Sequence, residues 1–542
     1  MGGLNAAPAG AFPPRAEALA RLQAHEWDLV VVGGGISGAG VAQQAAQQGW
    51  RVLLVEQRDF AWGTSSRSSK LVHGGLRYLQ QGDLRTTRDC VRERERLLRE
   101  APGLVARQSF LFPDCAGRAP GRWLVQAGLT LYDLLAGQRS HFHADLAATH
   151  MLAPGLALPG LRGALVFHDA QTDDARLVLR VLQEARRHGA TTLSYVAAQA
   201  LLRTQGRVTG LALRDTLAGR DYTVRARCVV NATGAWADRL RGHAGGMDGA
   251  GGAPLLRPLR GSHLLLPWWR LPVAQSISFL HPQDGRPVFL YPWEGATLIG
   301  TTDLDHAGPL DAEARITPAE VDYLLDAART PFPHAALTAA DIQACYAGVR
   351  PVAGAHGQPA SRAPREHLVR DEGGLITLTG GKLTTFRPMA QDALARAAPH
   401  VGRPFARNAA PLFASAGPLP AHWPPAVRQR LLARYGALAP ALCAALRGED
   451  LRCIPGTHTL WAELPLAARH EAVEHLDDLL LRRTRLGLLV AHGALGLLPR
   501  IRALCAPHLG WSDARWGQET ARYRALVAAH YQPPGAPLPE FE

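Results

Sequence analysis

A glycine-rich turn lies where the first strand-like run of the sequence meets its first long helix. Gly33, Gly35 and Gly38 fit the pattern G-x-G-x-x-G, and the next apolar strand ends on Glu56. In such a unit the first glycine permits a tight turn, the second lets the backbone approach a pyrophosphate, and the third lets helix and strand pack closely. The helix N-terminus offers unpaired N–H groups to the same anion. A carboxylate at Glu56 suits a ribose diol and repels a 2′-phosphate, so the unit predicts a dinucleotide other than NADP.

The glycine turn alone does not separate FAD from NAD, but three further segments combine glycine with hydroxyl side chains. They are the cofactor loop (residues 63–78), the strand end 231–236 and the strand-to-helix turn 380–386. Ligands of an open α/β sheet lie beyond the carboxyl ends of its strands, so these segments predict one extended cofactor. The candidate cofactor-binding residues are Gly33, Gly35, Ser37, Gly38, Glu56, Thr64, Ser65, Ser66, Ser69, Lys70, His73, Gly74, Gly75, Ala232, Thr233, Gly234, Gly381, Leu383, Thr384 and Thr385.

Two lysines and one histidine are candidates for further chemistry. Lys70 and Lys382 are the only lysines among 59 basic residues, so a compact ammonium rather than a guanidinium fork is indicated at these positions. Lys382 follows two glycines, where it could bind a substrate oxygen or phosphate. His263 begins an apolar strand. A histidine titrates near working pH, which suits a proton acceptor, and a buried structural histidine is the alternative.

Five motifs together carry a resemblance to one family. They are Gly33–Gly38, Thr64–Tyr78, Arg260–His263, Gly348–Pro351 and Gly380–Thr385. The chain resembles the FAD-dependent, quinone-linked glycerol-3-phosphate dehydrogenases, whose fold is related to that of D-amino-acid oxidase. The run 481–487 resembles that family's C-terminal domain, so the resemblance covers nearly the whole chain from Asp28 onward.

This resemblance implies a cofactor, a reaction and a set of site residues. The cofactor is FAD, and the reaction is oxidation of sn-glycerol 3-phosphate to dihydroxyacetone phosphate, with hydride passing from C2 to flavin N5 and electrons to a quinone. His263, Lys382 and Arg350 are the expected catalytic residues. The expected substrate-binding residues are Arg77, Arg350, Arg365, Lys382 and His263. The stretch around Arg365 departs from the family pattern, so Arg362 is an alternative to it.

The order of strand-like and helical runs predicts the architecture that must position these residues. The two kinds alternate up to about residue 400, and only helical periodicity follows. We expect an α/β fold: a Rossmann-type FAD-binding domain interleaved with a mixed-sheet substrate domain, and a C-terminal all-helical domain. The expected boundaries are a tail with a short helix over 1–25, the two interleaved domains over 26–404, the helical domain over 405–531 and a tail over 532–542.

Composition limits the partners and the location. The formal net charge of +13 arises from a bias toward arginine, which favours solvated arginines over a nucleic-acid surface. Scattered cysteines and the lack of a long uncharged apolar run predict a cytoplasmic protein. The family resemblance adds a peripheral membrane contact. No metal-ligand spacing occurs, and the acidic pair Asp173–Asp174 and the acidic run 471–478 are expected to be solvated.

Three alternatives remain open from the sequence. One is an enzyme of the same fold that oxidises an amino acid or a hydroxy acid. Another is a basic RNA-binding flavoprotein, although no nucleic-acid partner is expected, and the last is a non-catalytic FAD-binding scaffold. A homodimer is also left open.

Overall fold

Two sheets and a set of C-terminal helices build the protein. The computed structural model describes residues 10–80, 82–117, 121–242, 255–354, 367–407 and 410–539. The strands are β1 (Trp27–Val32), β2 (Val52–Val55), β3 (Val105–Cys115), β4 (Phe142–Asp145), β5 (Leu161–Thr172), β6 (Thr191–Leu193), β7 (Val196–Thr204), β8 (Arg207–Asp215), β9 (Arg220–Asn231), β10 (Leu256–Pro267), β11 (Ser276–Leu280), β12 (Pro287–Trp293), β13 (Ala296–Gly300), β14 (Leu304–Asp305), β15 (Ala344–Ala353), β16 (His367–Asp371) and β17 (Leu375–Gly380).

The helices surround and link the sheets. They are α1 (Arg15–Ala20), α2 (Ile36–Gln47), α3 (Leu76–Gln80), α4 (Leu84–Glu100), α5 (Arg122–Ala136), α6 (Leu146–Leu152), α7 (Asp174–Arg187), α8 (Ala237–Gly242), α9 (Pro318–Arg329), α10 (Phe386–Val401), α11 (Pro425–Tyr435), α12 (Ala439–Cys443), α13 (Glu463–His470), α14 (Leu486–Leu489), α15 (Leu498–Leu509) and α16 (Asp513–His530). Helix α9 begins with a capping box, in which the Thr317 side chain accepts from the Glu320 N–H and the Glu320 carboxylate accepts from the Thr317 N–H.

The first sheet has the strand order β16-β17-β9-β1-β2-β6, and β17, β9, β1, β2 and β6 run parallel. Strand β1 is buried over its whole length because both faces of the sheet are covered. Leu29 and Val31 pack in a core with α2, α7 and α10. Val30 and Val32 pack on the other face with residues of β7 to β9. The continuous apolar run of this strand therefore reflects two cores, one on each face.

The second sheet has the strand order β14-β10-β13-β12-β11-β3-β5-β4, with β15 paired to β10. Its pairings are antiparallel apart from that of β11 with β3, so it is the mixed sheet that the sequence predicts. Leu264 and Leu266 of β10 pack toward α9, whereas Leu265 packs in a core with Leu480 and Leu486 of the C-terminal region. The C-terminal helices thus cover one face of this sheet, and the predicted fold class is confirmed. The predicted domain boundaries stay predictions.

Buried ion pairs join the C-terminal region to the first half of the chain. Both Arg482 and Arg483 bind the carboxylate of Asp59, and all three side chains are buried. Arg485 binds Asp173 and Asp174. The expectation of a solvated acidic pair was wrong, because these carboxylates and much of the run 471–478 lie under the arginines. Burial of such charges requires partners, and here the partners come from 311 to 424 residues away.

Candidate active site

A cavity of about 1470 Å³ opens where parallel strands of the first sheet end. Its wall there is formed by residues at the carboxyl ends of β1, β2, β9 and β17, namely Val32, Glu56, Ala232 and Gly380. The second sheet contributes apolar side chains such as Phe110 and Phe289, and the cation Arg350. The cavity therefore lies at the carboxyl edge of the sheet, where open α/β folds bind their ligands.

The predicted glycine turn forms one end of this cavity. Gly33 has φ = 114°, and a Cβ there would lie 2.4 Å from the carbonyl oxygen of Ala232. A Cβ at Gly38 would lie 1.9 Å from the carbonyl oxygen of Gly33, so helix α2 can pack against the turn only without a side chain. The N–H of Ile36, at the start of α2, donates to Ser65 Oγ over 3.0 Å.

Glu56 lines the cavity at the end of β2. Its carboxylate accepts hydrogen bonds from the N–H groups of Gly34 (2.7 Å) and Arg58 (2.9 Å). Burial raises the pKa of Glu56, although the two backbone donors act in the opposite direction. The carboxylate is thus held beside the glycine turn by the backbone of that turn.

The cofactor loop is tied to the two other glycine-containing segments of the cavity. The Thr64 hydroxyl donates to the carbonyl of Val349 in β15, and the Thr384 hydroxyl donates to the carbonyl of His73 over 3.2 Å. The predicted cofactor residues that line the cavity are Gly33, Gly35, Ser37, Glu56, Thr64, Ser65, Ser69, His73, Ala232, Thr233, Gly234, Gly381, Leu383 and Thr384. Those that do not line it are Gly38, Ser66, Lys70, Gly74, Gly75 and Thr385.

Lys70 lies behind the cofactor loop, contrary to the prediction that it contacts the ligand. Its side chain is fully buried, and its Nζ donates to Asp174 Oδ1 and to the carbonyl oxygen of Ser66, each over 3.0 Å. Burial lowers the pKa of Lys70 to about 8, although Asp174 acts in the opposite direction. A fully buried ammonium cannot touch a ligand in the cavity, so Lys70 shapes the loop from behind.

Arg350 lines the cavity, as the sequence predicts for a substrate-site residue. Its guanidinium donates to Thr301 Oγ1 over 2.9 Å and to Asp303 Oδ1 over 3.0 Å. A Cβ on Gly261 of the neighbouring strand β10 would lie 2.2 Å from Arg350 Nη2. A side chain at Gly261, in the motif Arg260–His263, would therefore displace the guanidinium of Arg350, in the motif Gly348–Pro351, from this position.

Lys382 also lines the cavity, at the turn that follows β17. Its Nζ lies 3.4 Å from the ring centroid of Tyr78 and 3.4 Å from Cys90 Sγ. Gly381 before it has φ = 70°, a conformation that suits glycine. The turn thus brings an ammonium to the cavity beside the end of the cofactor loop.

His263 does not reach the cavity surface, so the direct proton acceptor that the sequence suggests is not supported by its position. The ring is fully buried, stacks on Tyr346 with centroids 4.7 Å apart, and its Nε2 lies 2.9 Å from Ser69 Oγ. Burial lowers the pKa of His263 far below its ordinary value, and the nearby cation Arg350 acts in the same direction. Ser69 lines the cavity in front of it, and His73 is an exposed histidine on the cavity wall.

The remaining predicted residues are only partly described. Arg77 lies in α3, and nothing further is described of its side chain. Arg365 and the alternative Arg362 lie outside the described residues. Sequence reasoning missed Arg286 and Asp303, which both line the cavity. In a chain this rich in arginine, no local signal separates Arg286 from solvated arginines.

Comparison with known proteins shows the family to which this chain belongs. Residues 28–391 match the profile of the FAD-dependent oxidoreductases, and residues 375–516 match that of the C-terminal domain of alpha-glycerophosphate oxidase. The chain belongs to the FAD-dependent oxidoreductase family. This confirms the resemblance inferred from the motifs, including that of the C-terminal helices.

Several members of the FAD-dependent oxidoreductase family are similar over most of this chain. Glycerol-3-phosphate dehydrogenase 2 of Mycobacterium bovis is 36% identical and covers 96% of this chain and 92% of its own length. Aerobic glycerol-3-phosphate dehydrogenase of Bacillus subtilis is 38% identical over 67% of this chain and 65% of its own. The crystal structure of glycerol-3-phosphate dehydrogenase from Bacillus halodurans complexed with FAD has a TM-score of 0.74 and 27% identity, and covers 96% of this chain and 97% of its own.

FAD is the cofactor of this oxidoreductase, and the described residues fit it. The turn leaves no room for a side chain at Gly33 or Gly38 and offers the N-terminus of α2 to a pyrophosphate. Glu56 stands at the strand end that suits a ribose. The same cavity extends to Lys382, so one long ligand can reach from the glycine turn to the cationic wall.

Proposed function

We propose that this FAD-dependent oxidoreductase converts sn-glycerol 3-phosphate to dihydroxyacetone phosphate and passes the electrons to a quinone. The observation that carries the proposal is the pair of cations, Arg350 and Lys382, on the wall of the FAD cavity. Relatives named glycerol-3-phosphate dehydrogenase, 36% identical over 96% of the chain, support the same substrate. A phosphate dianion needs more than one cation, whereas the carboxylate of an amino acid needs fewer.

The substrate phosphate binds the cationic part of the wall. Arg350 is held in place by Thr301 and Asp303, so its guanidinium is fixed before the substrate arrives. Such preorganisation reduces the entropy lost on binding and favours charge-assisted hydrogen bonds to phosphate oxygens. Lys382 supplies a compact ammonium for a substrate oxygen. Arg77 and Arg365 stay in the proposal as further phosphate ligands.

When bound, FAD supplies the two-electron acceptor that takes hydride from C2 and delivers the electrons to the quinone. The chain must accept the proton of the C2 hydroxyl. We assign this role to His73, because it is exposed on the cavity wall and a neutral imidazole has a ring nitrogen that can accept a proton. His263 acts through Ser69, whose hydroxyl it fixes at 2.9 Å.

An exposed apolar surface at helix α5 supports the proposal that the acceptor is a quinone and that the protein contacts a membrane peripherally. Trp123 and Leu134 are 74% and 71% exposed, and Leu124 and Leu131 are exposed on the same helix. Leu124 and Leu131 also line the cavity, so the cavity reaches this surface. An apolar quinone can therefore enter from a lipid phase toward the FAD site. No helix of the described residues is long and apolar enough to span a membrane.

Basic residues are exposed on the helix next to α5. Arg85, Arg88 and Arg92 are exposed on helix α4, which packs against α5. Apolar side chains with flanking arginines are the combination by which proteins bind the surface of an anionic bilayer. Peripheral contact through α5 would bring the open side of the cavity to the membrane.

A product assay tests the reaction and its acceptor. The holoenzyme is supplied with glycerol 3-phosphate and a short-chain quinone without oxygen, and dihydroxyacetone phosphate and quinol are measured. The proposal predicts equal amounts of both products. Product that forms only with oxygen, together with hydrogen peroxide, would contradict the quinone. Turnover of amino acids in place of glycerol 3-phosphate would contradict the substrate.

A further inference from the structure

The turn between β11 and β12 ends in an arginine whose backbone is firmly positioned. The N–H of Arg286 donates to Asp284 Oδ1 over 3.1 Å, and its carbonyl accepts from the N–H of His281 over 2.8 Å. The Asp284 carboxylate also accepts from the Tyr323 hydroxyl over 3.1 Å, and the His281 ring stacks on Tyr323 with centroids 3.8 Å apart. The turn is therefore fixed to helix α9, and this fixes the backbone position from which the Arg286 side chain extends.

One buried carboxylate lies between Arg286 and Arg350. Asp303 Oδ1 is 3.0 Å from Arg350 Nη1, and Asp303 Oδ2 is 3.6 Å from Arg286 Nη2. The Asp303 side chain is 2% exposed, whereas those of Arg286 and Arg350 are 23% and 22% exposed, and all three line the cavity. The carboxylate thus holds two guanidiniums side by side at the cavity surface.

The charges of this trio do not balance. Two guanidiniums share the Asp303 carboxylate, so the trio itself carries one net positive charge. The Asp284 carboxylate also lines the cavity, but it accepts from the Arg286 N–H and the Tyr323 hydroxyl and not from the guanidinium. The 3.6 Å separation is longer than a hydrogen bond, and within the described part of the chain no hydrogen-bond acceptor binds the Arg286 guanidinium. Its N–H donors therefore stay available to an anion in the cavity. A planar fork of this kind matches the oxygens of a phosphate.

We propose that Arg286 is a further phosphate-binding residue of the substrate site, positioned beside Arg350 by Asp303. The pair selects a phosphate dianion over a substrate carboxylate, since a carboxylate needs only one of the two forks. This assignment rests on the proposed oxidation of glycerol 3-phosphate. It adds a specificity-determining residue that lies outside all the motifs on which that function depends.

The first test compares Arg286→Gln with the wild-type holoenzyme in the anaerobic reduction of the flavin by glycerol 3-phosphate. Because a hydrogen bond to a charged group is lost, half-saturation should require about 10- to 100-fold more substrate. The limiting rate of reduction should change less than about threefold, and Arg286→Lys should recover part of the affinity. Arg214→Gln is the matched control, since Arg214 is exposed on β8 and pairs with the exposed Asp221. Half-saturation of Arg286→Gln at the wild-type concentration would overturn the assignment.

A binding measurement separates this assignment from the proposed function. Inorganic phosphate is titrated into each holoenzyme in a calorimeter, and FAD content is checked by its absorbance. The assignment predicts a weaker dissociation constant in Arg286→Gln than in the wild type or in Arg214→Gln. Equal constants, or a wild type that does not bind phosphate, would overturn it. If the wild type binds phosphate but glycerol 3-phosphate does not reduce its flavin, the result contradicts the proposed function and leaves the phosphate-binding role of Arg286 standing.

Discussion

Replacing Arg485 with alanine should loosen the cofactor loop from the C-terminal region. The Arg485 guanidinium donates to Asp173 Oδ1 over 2.9 Å and to the Leu481 carbonyl over 2.7 Å, and it also binds Asp174. A further donor lies 3.4 Å from the carbonyl oxygen of Ser66 in the cofactor loop. Asp174 in turn holds Lys70 behind that loop. One side chain therefore connects the helical region, the start of α7 and the cofactor loop.

The size of the effect follows from the partners left behind. Removal of one partner from a buried ion pair costs ~3–5 kcal/mol, because a buried charge loses its compensation. Asp174 keeps Lys70 at 3.0 Å, and Asp173 keeps Arg434 at 3.4 Å, so the lower end of this range applies. With about 2.1 cal/mol/K of unfolding entropy per residue over 542 residues, a loss near the lower end would reduce the temperature of flavin release by roughly 3 °C.

The assay is the fluorescence of FAD released on slow heating of the holoenzyme. The matched control is Arg502→Ala, because Arg502 is 46% exposed and pairs with the exposed Asp513 of the same helical region. An exposed pair contributes about 0–1 kcal/mol, so the control should shift by less than about 1 °C. Equal release temperatures for Arg485→Ala and Arg502→Ala would refute the reasoning.

The same network has a definite pH dependence. Burial alone would raise the pKa of Asp173, but Arg485 and Arg434 hold this pKa below its ordinary value of 3.8. A carboxyl with a depressed folded-state pKa stabilises the protein above its unfolded-state pKa and loses this contribution as the pH falls. The difference in flavin-release temperature between Arg485→Ala and the wild type should therefore become smaller below about pH 4.

Two further substitutions test other parts of the site. Lys382→Ala should keep FAD bound, as measured by its absorbance, but reduce turnover about 100-fold because an ammonium at the substrate is lost; normal turnover would remove Lys382 from the site. The double variant Trp123→Ser, Leu124→Ser should lose sedimentation with phosphatidylglycerol vesicles, whereas Trp269→Ser, a change of another exposed tryptophan, should keep it. Equal sedimentation of both variants would contradict membrane contact through α5.

The cofactor site was predictable from sequence because its signals are local. The tight turn at Gly33, the close packing at Gly38 and the strand-end carboxylate Glu56 each follow from a short segment, and the structure places Gly33 and Glu56 on the wall of one cavity. The order of strand-like and helical runs likewise predicted the α/β class. The membership of the C-terminal helices in this fold was recognised only through the family resemblance.

Other features depend on contacts between distant segments and could not be read from local patterns. The rarity of lysine indicated a ligand contact for Lys70, but the side chain pairs with Asp174, 104 residues away. From the sequence, the position of His263 at the start of an apolar strand did not decide whether its side chain is buried. In the structure, the pairing of β10 with β13 and β15 buries the His263 ring against Tyr346. The approach of Arg286 to Asp303 likewise depends on sheet pairing.

The direct test of the proposed function is the visible spectrum of the holoenzyme without oxygen, before and after glycerol 3-phosphate. Our account predicts that the flavin absorbance of the oxidised cofactor disappears with this substrate and stays with glycerol or amino acids. Glycerol lacks the phosphate that Arg350 and Lys382 are proposed to bind, so the comparison of the two compounds measures how much flavin reduction depends on these cations. A flavin that stays oxidised with glycerol 3-phosphate, or that is reduced equally well by glycerol, would contradict the account.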